Sequence, residues 1–240
     1  MTPFGCGQCM PCRINKGREW ALRLLLEDHM VESSIFITLT YADEHLSLTD
    51  DGVQNLNPHE TQTFLKRLRY YAKPFRFFLV GEYGDESLRP HYHACIFGLS
   101  REDKPLIDKA WGMGHTSAYA FNAGNARYTV GYTLKKMTSK KDERLHPNQH
   151  PEFTRSSNRI PGERYGGLGA PFIRQLAQRI RKNKYVPDEL YNQVTATRQK
   201  YAMGRYLQNV LFDELEIPCH KRDYELWQYQ EDLFNNYLYT

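Results

Sequence analysis

The chain lacks any run of about 18 consecutive apolar residues, the length a membrane-spanning helix needs. Its start, Met1-Thr2-Pro3-Phe4-Gly5-Cys6, has no basic stretch followed by an apolar one. No membrane association is therefore expected, and a cytoplasmic location is. Cysteine is scarce and odd in number: five in 240 residues, three of them in Cys6-x2-Cys9-x2-Cys12. That pattern argues against a disulfide framework and for reduced thiols or metal ligands. No internal repeat is found.

What is present is a chain of one generous domain or one domain with appendages. Hydrophobic residues make up 40%, charged residues 25% and aromatics 13%, with 17 tyrosines, a globular and not a disordered composition. The net charge of +4 conceals an asymmetry. Residues 135–205 hold 16 Lys and Arg against 6 Asp and Glu, so the rest of the chain is acidic. A polyanion would lie on the basic part, although a solvated basic surface gives the same count.

Residues 13–31 are leucine-rich and free of proline, which predicts a helix with one broad apolar face. The β-branched and aromatic run Ser34 to Tyr41 predicts a central strand. Asn57, Pro58 and Glu60 supply a cap, a first-turn proline and a carboxylate, so a helix is expected over 58–72, its inner face Phe64, Leu65, Leu68 and Tyr71. Strands are expected over 75–80 and 89–97, joined by a hairpin at Gly84-Asp85-Glu86-Ser87. A helix near 102–111, a strand near 115–120 and a basic amphipathic helix from 171 to 184 follow. Residues 138–170, rich in Pro, Gly, Ser and Asn, read as a long surface loop.

His91-Tyr92-His93 lies inside a predicted strand, where alternation puts both imidazoles on one face, close enough to share an ion. Glu82, nine residues earlier on the preceding strand, reaches the same place by hairpin pairing. Two histidines and a carboxylate with open positions suit Mn²⁺ or Mg²⁺ better than a closed zinc site. Tyr128 and Tyr132 stand four apart with Lys135 three further on, one side of a helix. Thr129, Val130, Gly131 and Thr133 are poor helix formers, and in a strand the tyrosines still share a face while Lys135 does not. A phenol becomes a nucleophile once a cation or bound phosphate stabilises its phenolate.

In order and spacing, Phe36-Ile37-Thr38-Leu39-Thr40-Tyr41, Arg89-Pro90-His91-Tyr92-His93 and Tyr128-x3-Tyr132-x2-Lys135 resemble the three motifs of rolling-circle initiators of the HUH endonuclease superfamily. With Cys-Gly-Gln-Cys-x2-Cys-Arg at 6–13 they look most like the initiators of microviruses of the gokushovirus kind. The resemblance implies an α+β fold, a central antiparallel sheet of about five strands with flanking helices, ferredoxin-like. It implies a nickase core over 1–137, and a basic loop with a helical extension over 138–240 packed on the same domain. It implies His91, His93 and Glu82 as metal ligands, Tyr132 and Tyr128 as nucleophiles and Lys135 as their helper. Gly131 stands where two-tyrosine motifs commonly carry a lysine. The implied partners are a single-stranded DNA origin and a host polymerase in the bacterial cytoplasm. Because the sequence has no P-loop, a host helicase is implied too.

Other readings compete. A relaxase usually carries its tyrosine before the histidines, and a single-strand transposase shares the site but differs in partners. A His-x-His-x-Asp-His hydrolase fails, because Cys95 and Ile96 occupy the last two places. A non-catalytic single-stranded nucleic-acid binder would use Tyr41, Tyr92 and Phe97 for stacking and would need neither pair. The cysteine run is either a zinc site short of one ligand, which Cys219 or His220 could supply, or three reduced thiols in a loop before the first helix.

Overall fold

The computed structural model describes residues 9–131, 142–157, 160, 163–183, 192–194 and 200–217. Contacts group the chain into two units, one of residues 1–17 and 31–157, the other of residues 18–30 and 158–240. Helix α1 (Met10–Asp28) contributes to both.

The first unit is built on five antiparallel strands in the order β4-β1-β3-β2-β5. They are β1 (Ser34–Thr40), β2 (Arg76–Tyr83), β3 (Pro90–Phe97), β4 (Thr116–Ala120) and β5 (Phe153–Ser156). With its flanking helices this is the expected α+β fold. Helices α2 (Pro58–Tyr71) and α3 (Lys104–Trp111) cover one face. The sequence reads through directly: Asn57 Oδ1 accepts from His59 N at 3.1 Å, Pro58 opens α2, and Phe64, Leu65 and Leu68 turn inward. They pack with Ile37, Leu39, Leu79, Tyr92, Ala94 and Trp111 in a continuous core.

On the opposite face of the same strands stand Phe36, Thr38, Glu82, His91, His93 and Cys95, as period-two alternation requires. Helix α4 (Ala123–Gly131) packs against β3 there through Ala126, Thr129 and Val130. Asn122 Oδ1 accepts from Asn125 N at 3.0 Å and starts the helix. The run read as helix or strand is therefore helical as far as Gly131. The expected loop over 138–170 contains β5, an edge strand too short to show alternation. Its Phe153 ring lies against Gly81, where an added Cβ would come within 2.7 Å of Phe153 Cε1.

In the second unit α5 (Ala170–Asn183) packs on α6 (Arg205–Glu214), beside a small hairpin of β6 (Asn192–Val194) and β7 (Lys200–Ala202). Ile173, Leu176, Ala177 and Ile180 form the buried face of α5. Arg174 ties the unit together through Glu163, Glu214 and the Tyr165 carbonyl. Buried Glu27 accepts from Gly169 N at 2.8 Å. No helix among the described residues is long and apolar enough to cross a membrane.

Candidate active site

The β2–β3 hairpin makes the site. Its turn is closed by Gly84 N donating to Arg89 O and Leu88 N donating to Gly84 O, both at 3.0 Å, and this length sets Glu82 directly opposite His91. Glu82 Oε1 lies 2.7 Å from His91 Nε2 and 3.1 Å from His93 Nε2. The two imidazoles are 5.0 Å apart, ring centre to ring centre. Glu82 and His93 are buried and His91 is partly open. The structure thus brings together Glu82, His91 and His93, the one cluster of ligand-bearing side chains among the described residues that could hold a metal.

Their surroundings fit an ion. Glu82 Oε2 is buried without a hydrogen-bond partner, an uncompensated carboxylate oxygen that a cation would satisfy. The far nitrogen of each ring is occupied: His91 Nδ1 donates to Arg89 O at 3.0 Å, and Thr38 Oγ1 lies 3.0 Å from His93 Nδ1. Each ring is thereby held with Nε2 facing the carboxylate. Burial raises Glu82, but hydrogen bonds from His91 and His93 outweigh it and hold the carboxyl below its ordinary range. Burial lowers His91, but its bonds to Glu82 and the Arg89 carbonyl win and lift it above an ordinary imidazole.

Helix α4 brings Tyr128 to this cluster. Its ring meets His93 edge-on at 5.2 Å, and Phe36 at 5.9 Å. Phe36 in turn stacks on His93 at 5.4 Å. Thr129 Oγ1 donates to Asn125 O at 2.8 Å and lies 3.4 Å from Cys95 Sγ, fixing the rotation of α4 on β3. Tyr132 and Lys135 lie outside the described residues, as do Cys6, Cys219 and His220. Cys9 is exposed and Cys12 sits within α1, so Cys12 is not in a loop ahead of the helix.

Sequence reasoning missed Thr38, Phe36 and Glu152. The last accepts from Tyr83 N at 3.2 Å and adds negative charge near His91. The supposed stacking residues Tyr41, Tyr92 and Phe97 are buried in the fold at 4%, 0% and 1% exposure. None can stack on a base, which removes the platform that a purely binding role requires.

Residues 34–141, which contain every one of these candidate ligands and tyrosines, match the family of replication-associated protein ORF2. The chain is 30% identical to replication-associated protein VP4 of Bdellovibrio phage phiMH2K over 68% of its own length and 57% of the relative's. It is 30% identical to replication-associated protein ORF2 of Spiroplasma virus 4 over 75% of its length and 60% of that protein's. This chain is a homologue of phage replication-associated proteins. The expected likeness to a microvirus-type replication initiator holds. A third such protein, ORF4 of Chlamydia phage 1, is 26% identical over 56% of the chain and 38% of its own length. The chain thus spans at most about 60% of the length of these relatives. No solved structure matches it.

Proposed function

We propose that this replication-associated protein is a metal-dependent nickase and strand transferase that opens a single-stranded DNA origin to start rolling-circle replication. The observation that carries the reading is the Glu82–His91–His93 cluster, open on the His91 side, with Tyr128 against His93. Glu82, His91 and His93 would hold the ion, Mn²⁺ or Mg²⁺ by the chemistry of an N₂O donor set. When bound, it would draw charge from the scissile phosphate.

The chain's own residues do the rest. Arg89 and Thr38 fix the two imidazoles, so the ligand set is formed before DNA arrives. A phenol of the Tyr128/Tyr132 pair gives up its proton and its oxygen bonds to phosphorus, while the bond to the 3′ oxygen breaks and that oxygen takes a proton. The products are a 5′-phosphotyrosine and a free 3′-OH. The reverse attack by a 3′-OH rejoins a strand, and Lys135 is assigned to stabilising the phenolate. Tyr132 takes the first cut and Tyr128 the second, when the origin is regenerated. Host helicase and polymerase supply unwinding and synthesis in the bacterial cytoplasm.

The test is denaturing gel electrophoresis of the protein with end-labelled single-stranded DNA of its genome and Mn²⁺. A covalent protein–DNA band is expected, lost in His91→Ala and lost or weakened in Tyr132→Phe. DNA retained without adduct or nick under any divalent metal would overturn the proposal in favour of a binding module.

A further inference from the structure

The outer face of α2 takes no part in the site above. Helical spacing aligns His59, Thr63, Lys66 and Tyr70 in one stripe, opposite the buried Thr61, Phe64, Leu65 and Leu68. Arg67 borders the stripe and Lys73 follows it. Tyr70 is 84% exposed, more than any other large hydrophobic side chain among the described residues, and rests edge-on against Tyr71. Lys109 of α3 holds its Nζ 4.3 Å over the Tyr71 ring. From Thr61 to Gly81 the sequence has five cations, Lys66, Arg67, Arg69, Lys73 and Arg76, and no Asp or Glu. Lys66, Arg67 and Lys73 are exposed and form no ion pair among the described residues.

Like charges three and four apart on a helix repel one another, and a bare phenol ring in water contributes no burial. A polyanion with flat apolar faces relieves both. An unpaired nucleotide offers this combination, whereas the bases of a duplex are already stacked on each other.

We propose that the outer face of α2 is a second nucleic-acid contact, which binds single-stranded DNA by stacking a base on Tyr70 and pairing phosphates with Lys66, Arg67 and Lys73. It is separate from the metal cluster. Phe64, Leu65 and Leu68 press on one face of the sheet, while Glu82, His91 and His93 stand on the other. The segment bound on α2 is therefore strand leading to or from the cut. The choice of DNA rests on the nickase reading, but the measurement does not depend on cleavage.

Binding of the full chain to a long labelled oligothymidylate is followed by fluorescence anisotropy over a salt series. The double variant Lys66→Gln/Arg67→Gln is expected to bind about tenfold more weakly. Its slope of log affinity against log salt should fall by about 1.4, from about 0.7 per lost phosphate contact on a single strand. Tyr70→Ala is expected to lose about fivefold or more, and Tyr70→Trp to retain affinity. Circular-dichroism melting of all three should match the parent, because the side chains are exposed. Unchanged affinity and slope overturn the proposal, as does Tyr70→Ala binding like the parent or a duplex competing as well as a single strand. Glu82→Gln separates the two readings. If the parent forms no adduct but the α2 variants still weaken binding, the nickase assignment fails and this surface stands.

Discussion

Tyr128 meets His93 edge-on, ring centroids 5.2 Å apart and planes at 80°, while Phe36 lies nearly parallel to the same imidazole. One tyrosine of the paired motif is thus in contact with a candidate metal ligand, and at 48% exposure a strand reaches it without opening the core. Tyr128→Phe keeps the ring contact and removes only the hydroxyl, so stability should change by less than about 0.5 kcal/mol. Tyr128→Phe combined with Tyr132→Phe should leave no covalent band on a denaturing gel. An adduct that survives the double substitution would mean that the nucleophile is another residue.

Thr38 acts on the site through His93. It sits opposite His93 in the β1–β3 register and its Oγ1 lies 3.0 Å from Nδ1, the nitrogen that must carry the proton when Nε2 binds an ion. Thr38→Val should lower Mn²⁺ affinity by about 10- to 100-fold by titration calorimetry, and Thr38→Ser should restore it. Equal affinity in the parent and the valine variant would leave Thr38 with no positioning role.

The legible parts of the site are those fixed by local rules. The hairpin placed Glu82 opposite His91 because turn length sets register, and alternation put both histidines on one face. Thr38 was invisible because its partner depends on how β1 docks on β3, a pairing between segments more than 50 residues apart. Motif three was ambiguous because Thr129, Val130 and Gly131 carry little helical propensity. The helix prevails through the Asn122 cap and the packing of Ala126, Thr129 and Val130 on the sheet. Strand β5 escaped because four residues at an edge acquire their structure from β2 and not from their own pattern. Tyr41 and Tyr92 read as surface rings in isolation, yet both are core residues around Trp111.

The metal-free cluster should be sensitive to pH in a definite direction. His91 is raised above its ordinary 6.5, so its contribution to stability is complete below that value and is lost as pH rises through the raised one. Glu82 is lowered from 4.5, so its contribution is present above that value and lost as pH falls through the depressed one. A divalent ion takes the place of the proton shared by Glu82 and His91, so its binding strengthens as pH rises. In melts with chelator, the pair's contribution should fade on the alkaline side of 6.5. In the same range the gain in Tm on adding Mn²⁺ should grow. A Mn²⁺ effect that does not vary with pH would place the ion elsewhere.

Tyr92 links the hidden side of β3 to the start of α2. It is fully buried between the two histidines in sequence, points to the opposite face, and its hydroxyl accepts from Asn57 N at 2.9 Å and shares a proton with Tyr41 at 2.8 Å. Tyr83 repeats the arrangement, accepting from Leu56 N at 3.1 Å and donating to His150 O at 2.8 Å. Burial pushes both phenols up to about 12. Their neutral forms therefore support the fold fully below pH 10, the ordinary phenol value, and the support drains as pH rises towards 12. Urea midpoints should fall steeply across that interval. Tyr92→Phe should cost about 1–3 kcal/mol at neutral pH, because the Asn57 amide loses its acceptor at the capped end of α2. The same variant should show a shallower alkaline decline, having one buried phenol fewer to ionise. A parent and a phenylalanine variant with identical midpoints at neutral pH would show that Asn57 finds water instead and that the capped end of α2 does not need the hydroxyl.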